Sequence, residues 1–331
     1  MTKEVVLLAP DDSSMAERMA EFQAVAKRLG EDIEIKFVDA SLPADDIVQA
    51  CNGAVAIIPG RPRALTTEIA ERLPNLRLVQ TTSAGTDWLD KSALAELGID
   101  VSNNGGANAV AVAEHAIGLM FSVYRKLDMQ IDSVKAGTWM AGVTGDPGEF
   151  HTLVGKRVGI VGLGRIGSRV AKRLAGWECE IVYHDVAKFT DEYEQAAGAR
   201  KVPFDELLST SDIVTLHTPL ERTTHHLMSD REFDLMKPTA ILINTCRGPV
   251  VDEAALTRAL EAGKIFGAGL DVTEIEPIEA DNPLPTMPNV IVTPHLATRA
   301  IESTINAANF AVANTARLAR GEKPESIVPP V

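Results

Sequence analysis

At 331 residues the chain exceeds the ~250–300 residues at which a single core stops growing, so two domains are expected. A composition of 45% hydrophobic and 24% charged residues, with no apolar run near the ~20 residues of a bilayer span, argues against a membrane protein. The net charge of −14, without a cluster of Lys and Arg, argues against a nucleic acid partner and leaves any anionic ligand to a few placed groups, such as an arginine or a helix N-terminus.

The chain opens on "MTKEVVLLAP", a strand-like stretch without the basic start and long apolar region of a signal peptide, so a cytoplasmic location is expected. The runs "EVVLLAP", "IEIKFVD", "GAVAIIPG", "LRLVQTT" and "IDVSNN" alternate with helix-like stretches such as "MAERMAEFQAVAKRLG" and "TTEIAERL" up to about residue 103. That alternation predicts an α/β unit on a parallel sheet. Within it, Arg61 and Arg63 of "PGRPRALTT" either face a second anionic group of a substrate, such as a phosphate, or are solvated loop residues. Next comes "ANAVAVAEHAIGLMFSVYRKL", a long helix in which Ala107, Ala111, Ala113 and Ala116 permit close packing, with Glu114 and His115 assigned to packing or a subunit contact. From Asp128 to His151 the periodicity fades, and the segment reads as an excursion or contact arm whose Trp139 and Met140 a partner subunit covers. The arm and the Ala-rich helix together suggest a homodimer.

A second series of buried-strand candidates follows: "RVGIVG", "EIVYHD", "DIVTLHT", "AILINT", "GAGLDV" and "VIVTPH". This is the pattern of a doubly wound sheet. The closing helix "IESTINAANFAVANTARLARG" begins after that sheet is complete and is expected to return to the first domain; no C-terminal regulatory domain is expected after it. Cys51, Cys179 and Cys246 are odd in number and far apart, which suits reduced thiols rather than disulfides or a CxxC metal site. His225 and His226 have no further ligands nearby in sequence and read as a surface pair, so no metal is expected.

The stretch "GIVGLGRIGSRVAKRLAGWECEIVYHD" carries Gly162, Gly164 and Gly167 at GxGxxG spacing. Such spacing alone also occurs in structural turns. Here it follows a buried strand and opens an amphipathic helix, which would leave backbone N–H groups facing a pyrophosphate. Asp185 ends the next strand near the ~20-residue separation at which a carboxylate meets ribose hydroxyls and repels a 2′-phosphate, so NAD is favoured over NADP. Three more polar residues stand at strand ends, where open α/β sheets bind ligands: Arg247 after "AILINTC", Glu276 after "GAGLDVTEI" and His295 closing "VIVTPH". An arginine can hold a carboxylate through two hydrogen bonds, a histidine moves protons near neutral pH, and a glutamate beside it fixes its ring.

The runs "LINTCRGPVVDEAALTRALEAGKIFGAGLDVTEIEP", "NVIVTPH", "LVGKRVGIVGLGRIGSRVA" and "SAGTDWLD", with the ending "ARGEKPESIVPP", resemble the D-isomer-specific 2-hydroxyacid dehydrogenase family in order and spacing over nearly the whole chain. The resemblance implies two Rossmann-like doubly wound parallel-sheet domains with the active site in the cleft between them. Residues 1–103 plus 297–331 would form a flavodoxin-like substrate domain, and residues 104–296 an NAD-binding Rossmann domain with a dimerisation arm near 128–150. It implies hydride transfer between NAD and C2 of a small anionic 2-hydroxy or 2-oxo acid, of the glyoxylate, hydroxypyruvate or 3-phosphoglycerate class. Arg247 would bind and polarise the 2-oxo acid, His295 would be the general acid/base, and Glu276 would pair with it. Ser83, Ala84 and Gly85 would offer N–H groups to the substrate carboxylate, joined by Arg61 if the substrate carries a second anionic group. On the cofactor side stand Arg165 and Ile166 over the pyrophosphate, Asp185 on the ribose, Thr218, Pro219 and Thr245 along the nucleotide, and Asp271 at the nicotinamide carboxamide. Cys246, Arg247, His295 and Thr298 would also contact the cofactor, although a packed, inert thiol also explains Cys246. Protonated His295 would act in reduction and neutral His295 in oxidation, so the two directions are expected to differ in pH optimum.

Trp88 where the family commonly has Asn, Pro249 for Gly, Thr298 at a small-residue position and Ala300 at a hydroxyl position depart from the pattern and bear on substrate-side packing. Formate oxidation fits less well, because relatives with that activity lack the glutamate before proline that Glu276 supplies. A non-enzymatic, NAD(H)-responsive corepressor-like protein on the same scaffold is the alternative in a different functional class.

Overall fold

The first five apolar runs become β1 (Lys3–Ala9), β2 (Ile33–Asp39), β3 (Ala54–Pro59), β4 (Leu78–Gln80) and β5 (Asp100–Ser102), an all-parallel sheet in the order β2-β1-β3-β4-β5. These positions come from a computed structural model that describes residues 3–12, 15–30, 33–60, 64–139 and 150–330. Side chains alternate across a strand. Val6 and Leu8 therefore pack with Ile47, Ile69 and Leu94 of α2 (Ala44–Cys51), α3 (Thr67–Glu71) and α4 (Lys91–Glu96). Val5 and Leu7 pack on the other face with Phe22 and Val25 of α1 (Met15–Leu29) and with Ala308, Ala311 and Val312 of α12 (Ile301–Ala319). Burial on both faces is why the central strands β1 and β3 read as continuous apolar runs, whereas the edge strand β2 alternates.

The chain after α12 lies antiparallel along β5: Ser102 bridges Ile327, Asn103 N–H donates to Ser326 O (3.2 Å), and Val328 N–H to Val101 O (2.8 Å). Buried Asn314 ties it down, its amide nitrogen 2.7 Å from Gln80 Oε1, 3.0 Å from Ser102 Oγ and 3.1 Å from Glu325 O, while its Oδ1 accepts the Glu325 N–H at 2.6 Å. Asn314→Ala removes the partner of buried Gln80 Oε1 and of the Glu325 N–H, while Ser102 Oγ still donates to Glu325 O (2.7 Å), and is expected to lower stability by about 1–3 kcal/mol in urea denaturation.

The second sheet contains β6 (Arg157–Val161), β7 (Glu180–His184), β8 (Arg200–Lys201), β9 (Ile213–Leu216), β10 (Ile241–Asn244), β11 (Gly267–Leu270) and β12 (Val290–Val292), all parallel in the order β12-β11-β10-β9-β6-β7-β8. The order reverses between β6 and β9, the switch point at which doubly wound sheets bind ligands. Of these strands, β8 was not anticipated: it is two exposed residues, too short to make an apolar run. One face is covered by α5 (Ala109–Arg125) and α7 (Gly167–Leu174), the other by α9 (Phe204–Thr210), α10 (Asp230–Leu235) and α11 (Glu253–Glu261), and α8 (Asp191–Ala197) follows β7. In α5, Val112, Ala113, Ala116, Leu119, Met120 and Val123 are buried at helical spacing.

The segment after α5 corrects the expectation of an irregular excursion: Leu127–Lys135 is a helix, α6. None of its residues is buried, Ile131 and Val134 are exposed, and Trp139 beyond it is 71% exposed. With no fully buried residue, the helix shows no clean apolar stripe. Met140 lies outside the described residues. By compactness the chain divides into Met1–Asn108 with Arg299–Val331, and Ala109–Thr298. Among the described residues no helix is long and apolar enough to cross a membrane.

Candidate active site

At the switch point β6 runs into Gly162, whose φ of +94° is in the left-handed region and whose absent Cβ would lie 2.8 Å from His217 O. Gly167 begins α7 with no room at all, since a Cβ there would stand 2.1 Å from Gly162 O. Gly164 is different: a Cβ would meet no atom within 4 Å. The backbone N–H groups of Gly164, Ile166 and Gly167 have no acceptor among the described residues. An open, donor-lined turn at the start of an eight-residue helix fits a pyrophosphate. Asp185, just past β7, accepts Leu163 N–H at Oδ2 and Ala187 N–H at Oδ1, each at 2.8 Å, so its carboxylate is fixed beside this turn with lone pairs left for hydroxyl donors. The Tyr193 hydroxyl secures the turn from α8 by donating to Leu163 O (3.1 Å). Arg165 is exposed on it.

Past β9 stand His217, half-buried Thr218 and exposed Pro219. Burial pushes His217 down to about 3, leaving a neutral ring whose Nε2 meets Thr215 Oγ1 at 3.0 Å. Beyond β10, the Thr245 hydroxyl is buried without a partner among the described residues, as a group awaiting a ligand would be. Cys246 Sγ is 3.1 Å from Asn244 Oδ1, and burial raises its thiol above the usual range. Arg247 donates through Nη1 to Cys246 O (2.7 Å), and its carbonyl accepts from Asn244 Nδ2 (3.0 Å). The next residue, Gly248, passes so close to the loop after β11 that a Cβ would be 1.9 Å from Thr273 O. The Arg247 loop is thereby pressed onto the loop that carries Glu276.

Glu276 accepts Thr273 N–H at Oε1 (3.2 Å) and meets His295 Nδ1 at Oε2 (2.6 Å). Both side chains are 38% exposed, so the pair is accessible. His295 has φ +52°, a conformation that non-glycine residues adopt at a cost and that clusters at functional sites. Asp271, expected at the nicotinamide carboxamide, is 1% exposed, and its carboxylate holds the turn that follows β12: it accepts Thr293 Oγ1–H (2.6 Å) and Leu296 N–H (3.0 Å) at Oδ1, and Ala297 N–H (2.8 Å) at Oδ2. Thr298 is exposed just beyond. The structure thus brings Arg247, Glu276, His295 and Asp271 onto neighbouring strand ends.

In the other sheet's unit, Ser83 Oγ donates to Gly85 O (2.8 Å), and the N–H groups of Ala84 and Gly85 have no acceptor among the described residues, as an anion-binding loop requires. Trp88 is half-buried and packs against the core of this unit. Arg61 and Arg63 lie outside the described residues. His225 and His226 are exposed, their ring centroids 4.0 Å apart with planes tilted by 31°, and His226 Nε2 meets Glu274 Oε1 at 2.6 Å, a partner that adjacency in sequence did not suggest. Among the described residues no cluster of His, Cys, Asp or Glu is arranged to hold a metal. His115, assigned to packing or a subunit contact, reaches Thr293 from α5, its Nε2 3.0 Å from Thr293 Oγ1.

A family profile described as D-isomer specific 2-hydroxyacid dehydrogenase, NAD binding domain, matches residues 117–297. The chain is 38% identical over 269 residues to a glyoxylate reductase of Thermofilum pendens, covering 80% of this chain and 78% of that protein. It is 34% identical over 297 residues to a D-3-phosphoglycerate dehydrogenase of Archaeoglobus fulgidus, covering 89% of this chain and 54% of that protein. Similar solved structures include a glyoxylate reductase from Paecilomyes thermophila, with a TM-score of 0.84 and 29% identity over 99% of this chain and 98% of that one. The holo form of Rhodotorula graminis D-mandelate dehydrogenase gives a TM-score of 0.82 and 30% identity over 100% and 98%.

Proposed function

The chain belongs to the D-isomer specific 2-hydroxyacid dehydrogenase family and is an NAD-dependent oxidoreductase of the CH–OH group; from that premise we propose that its substrate is a small 2-oxo acid, glyoxylate or hydroxypyruvate, ahead of a phosphorylated acid. The observation that carries the reading is the 2.6 Å pairing of His295 Nδ1 with Glu276 Oε2 beside the Arg247 loop. With Nδ1 committed to the carboxylate, His295 presents Nε2 as the atom that moves a proton. In reduction Nε2 donates to the substrate oxygen as negative charge develops there, and Arg247 binds and polarises that oxygen. In oxidation Nε2 takes the hydroxyl proton. Ala84 and Gly85, with Ser83, would hold the substrate carboxylate through backbone N–H groups. When bound, NAD supplies or accepts the hydride at C2 of the substrate.

Gly162, Gly164, Arg165, Ile166 and Gly167 would hold the pyrophosphate, Asp185 the ribose hydroxyls, and Thr218, Pro219, Thr245, Cys246 and Thr298 would line the nucleotide. The unit from Ala109 to Thr298 is accordingly the cofactor domain, and the remainder of the chain the substrate domain. The small-acid preference is supported by the greater similarity to a glyoxylate reductase matched along 78% of its length, against 54% for the phosphoglycerate dehydrogenase. Spectrophotometric assay of NADH oxidation is expected to show turnover of glyoxylate or hydroxypyruvate in preference to pyruvate, phenylpyruvate and 3-phosphohydroxypyruvate. Turnover confined to the phosphorylated acid would reverse the preference.

The exposed Ile131, Val134 and Trp139 on and after α6 support a second proposal, that this arm packs in a homodimer. Sedimentation is expected to give twice the chain mass. A monomer at micromolar concentration would remove the dimer.

A further inference from the structure

The hydrogen bonds at the end of β12 can be assigned proton by proton. The Thr293 hydroxyl has a single proton, and at 2.6 Å from Asp271 Oδ1 it is committed to that carboxylate, which only accepts. His115 Nε2 lies 3.0 Å from the same hydroxyl oxygen and 3.4 Å from Asp271 Oδ1. Both oxygens are acceptors toward it. Nε2 therefore carries a hydrogen, and His115 is a donor into the pair.

Burying a carboxylate is costly unless donors surround it. Besides Thr293, the donors to Asp271 are the N–H groups of Leu296 and Ala297, and the Asp271 carbonyl accepts the His295 N–H at 2.8 Å. Among the described residues His115 is the one side chain able to carry positive charge that pairs with this carboxylate. The residues hung from Asp271 are those on either side of His295, and His295 sits in the left-handed region, a conformation that persists only where the surroundings over-determine it.

We propose that His115 is a positioning residue for the reaction: through Thr293 and Asp271 it holds the turn 293–297, and with it the direction in which His295 presents Nε2. The proposal rests on the dehydrogenase reading above. It is tested with wild type, His115→Leu and His115→Gln, in which the glutamine amide keeps an N–H donor near the position of Nε2. Steady-state reduction of glyoxylate and hydroxypyruvate, NADH fluorescence titration and ¹⁵N NMR of the histidine rings are recorded on each.

In wild type the His115 ring is expected to show a protonated Nε2. In His115→Leu, kcat is expected to fall by about 10–100-fold, the penalty of a misdirected catalytic group, with little change in NADH affinity and a displaced His295 ring resonance. His115→Gln is expected to recover most of that loss. An unprotonated Nε2 in wild type, unchanged kcat in a folded His115→Leu, or equal losses in the Leu and Gln variants would overturn the proposal. If His115→Leu does not fold, the wild-type tautomer and the kcat of His115→Gln decide it. If wild type reduces no 2-oxo acid, the dehydrogenase reading fails, and the placement of His115 is then decided by the ring resonances alone.

Discussion

His295→Ala is expected to lower kcat for 2-oxo acid reduction by about 10²–10⁴-fold, the range that general acid catalysis contributes. NADH affinity, followed by fluorescence titration, is expected to stay near that of wild type, because the turn at Gly162–Gly167 and the Asp185 carboxylate are untouched. Glu276→Gln should do less harm, because an amide can still meet His295 Nδ1 although it no longer offers a charged acceptor. A drop of about 10–100-fold is expected there, as for other misplacements of a reacting group. Full turnover by His295→Ala would assign the proton transfer to a different group and leave the 2.6 Å pair with a structural role.

The second large effect separates two glycines of one motif. A side chain at 164 meets nothing of the protein within 4 Å, whereas one at 167 would collide with Gly162 O at 2.1 Å. Gly164→Val is therefore expected to fold with an unchanged melting temperature and to bind NADH about 10–100-fold more weakly, since it obstructs a site where each charge-assisted hydrogen bond is worth about 1.5–3 kcal/mol. Gly167→Ala is expected to destabilise the protein by about 1–3 kcal/mol, the usual result of forcing atoms into a filled space. Calorimetry and NADH titration on both variants distinguish the outcomes. A normal affinity in Gly164→Val would mean that the turn is a packing device and not a phosphate cradle.

The two sheets were legible because their central strands are buried on both faces and so stand out as apolar runs, such as "EVVLLAP" and "AILINT". The glycine turn was legible because its context, strand before and amphipathic helix after, is local. Arg247, Glu276 and His295 were legible as polar residues at strand ends. What escaped depends on partners distant in sequence or on their absence. His115 meets Thr293 across 178 positions, and nothing on its own helix announces that contact. Gly248 looks like an ordinary turn glycine until Thr273 is seen against it. The helix α6 lacks a buried face, so it carried no stripe to read.

The placement of α12 and the tail that follows it has a consequence for the order of assembly. Ala308, Ala311 and Val312 complete the apolar cluster around Val5 and Leu7, although they are made after the whole of the other unit, Ala109–Thr298. Emerging from the ribosome at about 5–20 residues per second, the N-terminal sheet waits with one face covered only by α1 while the later-starting unit already has all of its residues. The domain that begins first is thus the last to be finished, and during that interval its exposed strands depend on the speed of synthesis and on chaperones for protection.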